Sequence, residues 1–227
     1  MTGRSAPAVL PPSLRVWLGP IAVLAALVVL VLGVLYADDS EPGTADARIE
    51  AAVYGAGPPW RHIALATDFL GEPVGAATLV VAAVTGCLLL RRPRAAVLIV
   101  VGVSVTVGAS TLLKSLVGRT IHGEDNLSYP SGHTAFFTAL ALMVALLATG
   151  RLCLGRTAGT LLVLATALVA GAAMGWAQVA LGAHYPTDVL GGWCTALAVV
   201  PATAWLVDRV ADRTADRPAG AGRPERR

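Results

Sequence analysis

The chain has 227 residues, of which 56% are hydrophobic and 14% charged, with a formal net charge of +3. Its mean hydropathy is +0.69. Soluble domains carry far more charge than this, and the basic residues sit between apolar runs. The composition therefore leaves no room for a separate soluble domain and ties the positive balance to membrane topology, not to nucleic acid.

A bilayer core about 30 Å thick takes roughly 20 apolar residues per helix. Residues 1–15 are Pro-rich and basic and are expected to form a disordered arm. The first apolar run, 16–36, is too long for a signal-peptide core and lacks a small-x-small cleavage site, so it reads as a retained helix. An acidic stretch follows at 37–73, with Asp38, Asp39, Glu41, Asp46, Glu50, Asp68 and Glu72. Short interfacial helices are expected over 49–70, with Trp60 as an anchor. Further spans are expected at 74–90, 95–117, 132–149, 157–181 and 188–207, and an Arg-rich, disordered tail at 208–227. Gly171 and Gly175 give a small-residue spacing suited to close helix packing. Cys87, Cys153 and Cys194 suggest neither a disulfide framework nor a metal site.

The expected fold is thus an all-α, polytopic membrane helix bundle of about six spans, with its membrane domain at 16–207. Arg excess marks the N-terminal arm, the 91–94 and 151–156 loops and the tail. Six spans put these segments on one side, which the positive-inside rule makes cytoplasmic together with both termini. The 119–130 and 182–187 loops then lie outside.

At that outer face several polar residues converge. Lys114, the single lysine, ends the third span, and Arg119 follows it. Alone, each reads as an interfacial side chain. Ser131, Gly132 and His133 open the fourth span, where free N–H groups and the helix dipole favour an anion. Ser131 reads equally well as a plain N-cap. His184 precedes the sixth span and Asp188 lies in its first turn. Asp188 is either a favourable charge at a helix start or the acceptor that fixes the His184 tautomer, freeing the other ring nitrogen as a nucleophile. His122, Glu124 and Asp125 read as solvated loop residues, and Tyr129 and Tyr185 as interfacial aromatics.

Over about 70–205 these residues resemble the type 2 phosphatidic acid phosphatases, membrane relatives of the vanadium haloperoxidases. The family pattern runs Lys, six residues, Arg-Pro; then Pro-Ser-Gly-His; then Ser-Arg, five residues, His, three residues, Asp. Pro130-Ser131-Gly132-His133 matches the second piece in full, and His184 and Asp188 match the third. Lys114 and Gly118-Arg119 match parts of the first. The Arg-Pro position falls on Ile121-His122 and the Ser-Arg position on Ala177-Gln178, so both clamping arginines are missing.

The resemblance implies hydrolysis of a lipid phosphate or pyrophosphate without cofactor or metal, at the extracytoplasmic face of a membrane expected to be the bacterial cytoplasmic membrane. In that scheme His184 is the nucleophile, His133 the general acid and base, and Asp188 the orienter. Lys114, Arg119, Ser131, Gly132 and Gln178 hold the phosphate. The partners implied are the lipid substrate and the bilayer, with no nucleic acid. The alternatives are a phosphotransferase of the same fold and a catalytically weakened lipid-phosphate binder. A small-molecule transporter fits less well, because no acidic residue lies in mid-span.

Overall fold

The structure, a computed structural model, describes residues 7–53 and 57–215. Eight helices and no strands form among these residues: α1 (Pro12–Leu35), α2 (Thr44–Val53), α3 (Pro58–Phe69), α4 (Pro73–Leu89), α5 (Pro93–Val117), α6 (Gly132–Arg151), α7 (Arg156–Ala180) and α8 (Pro186–Ala215). Five of them (α1, α5, α6, α7 and α8) are long and apolar enough to cross a membrane. A sixth span arises if α3 and α4, bent by 60° at their junction, count as one. The protein is an all-α polytopic membrane bundle, as expected.

Proline opens α1, α3, α4, α5 and α8 at a first-turn position where no N–H partner is lost. Gly118, at φ +67, closes α5 in the left-handed conformation, and its N–H donates to the Lys114 carbonyl. α6 is the hub, packed against α5, α7 and α8, while α1 lies along α8 and α4 along α5. The outward faces carry Leu24, Leu27, Leu30, Val81, Leu161 and Leu168, the surface a bilayer requires. The expected close approach of small residues is made between α7 and α8. A Cβ on Gly171 would lie 2.2 Å from Trp193, and one on Gly175 2.3 Å from Val189.

Two expected boundaries move. Helix α8 runs to Ala215 instead of stopping near 207, and the supposed arm is ordered from residue 7. Asp208 explains both, since its carboxylate is buried and accepts the N–H groups of Val9 (2.8 Å) and Leu10 (2.9 Å). It also attracts Arg15 and Arg94, while Arg94 bonds Asp212 at 2.8 Å. Residues 1–6 of the arm and 216–227 of the tail lie outside the described residues.

Candidate active site

The opposite end of the bundle carries the polar cluster. Helix α6 starts at Ser131, whose hydroxyl accepts the Thr134 N–H at 3.4 Å. The Ser131 N–H donates to the Asp188 carbonyl at 2.9 Å. α8 can come that close because a Cβ on Gly192 would sit 2.3 Å from the Ser131 carbonyl oxygen. Ser131 therefore caps α6 and locks it to α8. Its N–H, expected to grip phosphate, is donated within the protein.

Asp188, the third residue of α8, reaches back to accept the Tyr185 N–H at 3.1 Å, as the acidic member of a capping box does. Its other oxygen takes Arg119 at 2.7 Å. His184 Nδ1 is 3.7 Å from Asp188 Oδ2, an ion-pair distance too long for a hydrogen bond, and it has no other partner. Burial pushes the His184 pKa down against the pull of Asp188, and Lys114 and His133 add to the lowering. The lowering favours the neutral ring, the state a nucleophile needs.

Arg119 departs most from expectation. It is fully buried, forked between Asp188 and Asp46 (2.9 Å), and also bonds Thr187 at 2.6 Å. Tyr36 and Tyr185 sandwich its guanidinium at 4.1 and 4.4 Å. Burial alone would lower its pKa, but Asp188 and Asp46 outweigh that and raise it. A guanidinium so enclosed ties α2, the 118–131 loop and α8 together. The same packing buries Tyr185, and Tyr129 donates to the Val29 carbonyl at 2.7 Å, so neither is the interfacial aromatic expected. His122 too is engaged, its Nε2 lying 2.8 Å from the Gly182 carbonyl.

His133 stands in the first turn of α6, facing the α3–α4 bend. Its Nε2 is 3.6 Å from both Asp68 Oδ1 and Glu72 Oε1 and has no hydrogen-bond partner. Gly71 packs against the imidazole, where a Cβ would come within 2.2 Å of the ring. Gln178 is buried on α7 and donates to Asp68 at 2.6 Å, so its amide is spent on a carboxylate. Ile121, at the motif's arginine position, is buried and apolar.

Lys114 and Gly132 remain available. With His133 they line a cavity of about 500 Å³ whose other walls are largely apolar, including Ala76, Val80, Val107 and Phe136. Lys114 Nζ also donates to the carbonyls of Leu127 and Ser128, which ties the 119–130 loop to the end of α5. The cavity opens on the bundle's flank, where Val81 and Val107 are exposed.

Asp46, Asp68, Glu72, Thr187, Tyr36 and Gly71 were not singled out as site residues by the sequence. The three acids appeared there only as part of an acidic stretch, with no local pattern to mark them.

A buried nucleophile candidate beside a carboxylate, and an imidazole and a lysine on one apolar cavity, define a histidine-centred site in an integral membrane bundle. Residues 115–212 match the family model described as the PAP2 superfamily, which bears out the resemblance drawn from the motifs. The fold is similar to that of a crystal structure described as the first transmembrane PAP2 type phosphatidylglycerolphosphate phosphatase, from Bacillus subtilis. The TM-score is 0.65 at 22% identity, covering 86% of this chain and 98% of that one. At that identity the likeness concerns the fold. No curated protein matches the chain at a significant level.

Proposed function

We propose that this protein removes phosphate from a lipid phosphate or pyrophosphate, polyprenyl or glycerolipid, at the extracytoplasmic face of a bacterial cytoplasmic membrane. The observation that carries the reading is the single cavity shared by Lys114, Gly132 and His133, apolar elsewhere and open on the flank. Such a site suits a ligand with a phosphate head and a hydrocarbon tail.

Lys114, the Gly132 N–H and the α6 dipole hold the phosphoryl oxygens and stabilise charge in the transition state. His184 attacks phosphorus through Nε2, since Nδ1 faces Asp188. The bond from that phosphorus to the lipid oxygen (or, in a pyrophosphate, from the terminal phosphorus to the bridging oxygen, which leaves with the lipid monophosphate) breaks as the nitrogen–phosphorus bond forms, and His133 gives its proton to the leaving oxygen. His133 then takes a proton from water, which attacks the phosphohistidine and releases inorganic phosphate. The His184–Asp188 separation of 3.7 Å shortens to a hydrogen bond as His184 becomes charged. With Arg119 and Gln178 both engaged elsewhere, phosphate binding is weaker than in a site with two free arginines.

A second reading is a binder that has lost turnover, favoured by those same two engaged residues. Phosphate release by purified protein in detergent with EDTA separates the two. The panel is a polyprenyl pyrophosphate, a polyprenyl monophosphate, phosphatidic acid and phosphatidylglycerol phosphate. Release that survives EDTA and is lost in His184→Ala is the expected result. Equal release by His184→Ala would refute the scheme, and no release from any lipid favours the binder.

A further inference from the structure

We infer that Asp68, Glu72 and His133 form a binding site for a divalent ion of the zinc class, and that occupancy switches the active site off. The donor set is two carboxylates and an imidazole, which suits a borderline metal. Their nearest oxygen and nitrogen atoms lie within 4.8 Å of one another. Nε2 is 3.6 Å from each carboxylate oxygen. The two nitrogen–oxygen separations match edges of a tetrahedron with arms of about 2.2 Å, at the upper end of zinc–oxygen distances.

Three features show that the donors are aimed and not merely near. His133 Nε2 is enclosed and has no hydrogen-bond partner, although two acceptors face it. Gly71 packs against the imidazole, since a Cβ there would come within 2.2 Å of it, so the ring is hemmed in on that side. Gln178 Nε2 donates to Asp68 Oδ1 at 2.6 Å, the kind of outer contact that orients ligating carboxylates. The turn that brings the two acids together is itself rigid. Gly71 N–H bonds the Asp68 carbonyl, and Glu72 N–H bonds that of Phe69.

The consequence for turnover rests on the proposed role of His133. A ligated Nε2 cannot carry the proton that the leaving oxygen needs, so the ion inhibits by removing the general acid. Glu72 is half exposed, so the ion reaches the cluster from water.

The test uses the full chain in detergent, stripped of metal and titrated with cobalt(II), whose visible absorption reports a low-symmetry site. One equivalent should produce bands that zinc then abolishes. Glu72→Gln should weaken cobalt binding by about tenfold or more, and so should Asp68→Asn. Glu72 is half exposed, so its replacement leaves folding intact, checked by elution profile. In the phosphate-release assay zinc should inhibit the wild type, and Glu72→Gln should need about tenfold more zinc for the same fractional loss. No bands, or bands unchanged in both variants, would show that the cluster is only a histidine facing two carboxylates. Stimulation by zinc would overturn the inhibitory role. The cobalt spectrum needs no substrate. Bands without phosphate release defeat the phosphatase reading alone, whereas release without bands defeats the metal site alone.

Discussion

Removing the Arg119 guanidinium would leave Asp46 and Asp188 buried without a counter-charge. Breaking a buried pair from one side costs about 3–5 kcal/mol, so Arg119→Ala should melt far below the wild type in a thermal scan. A phosphate clamp would behave differently, raising KM at an unchanged melting temperature. His184 makes a second prediction at this scale. Its folded pKa lies below the ordinary 6.5, chiefly through burial. The folded state thus prefers the neutral ring. That preference adds stability above pH 6.5, and the gain is lost as pH falls through the depressed folded value. Turnover follows the same direction, so the acid limb of a kcat/KM profile should fall below pH 6.5. The histidines and Lys114 were legible in the sequence because each lies in a short local pattern. The fate of Arg119 was not, because Asp46 is 73 positions away and marked by nothing but its charge.

At the scale of elements, the α3–α4 bend determines what faces His133. A Cβ on Gly75 would fall 1.9 Å from the Phe69 carbonyl oxygen, so the 60° bend closes only over glycine. Gly75→Ala should therefore swing Asp68 and Glu72 away from the imidazole while the spans stay folded. Overpacking of this kind costs about 1–3 kcal/mol, and cobalt binding by the Asp68–Glu72–His133 cluster should weaken with it. The melting temperature and a cobalt titration check both. Gly71 and Gly75 have the same spacing as Gly171 and Gly175, yet they serve different ends. The second pair admits a neighbouring helix, as the spacing suggests, whereas the first accommodates an imidazole and a carbonyl. Sequence spacing carries no information on which neighbour arrives. The end of α8 was misjudged for a related reason. An Arg-rich segment looks unstructured until Asp208 and Asp212 are seen to gather arginines from α1 and α5.

For the whole molecule, the Arg-bearing ends and the histidine cluster occupy opposite poles of the bundle, as the chain's alternation of basic and non-basic loops suggested. If the basic pole is cytoplasmic, the exposed Cys153 is shielded in intact cells, whereas Cys87 and Cys194 are buried in any case. A membrane-impermeant maleimide should then leave the native chain unlabelled in whole cells and label it after lysis. Asp125→Cys, in the loop beside the site, should be labelled in both. The reverse pattern would invert the topology. The flank opening of the lipid cavity has a kinetic consequence. A substrate that arrives through that opening is met by diffusion in two dimensions, so the quantity governing saturation is its mole fraction in the surrounding bilayer or micelle. Adding inert detergent at constant substrate would then slow the protein by surface dilution alone, and a KM quoted per litre would describe the micelles more than the site.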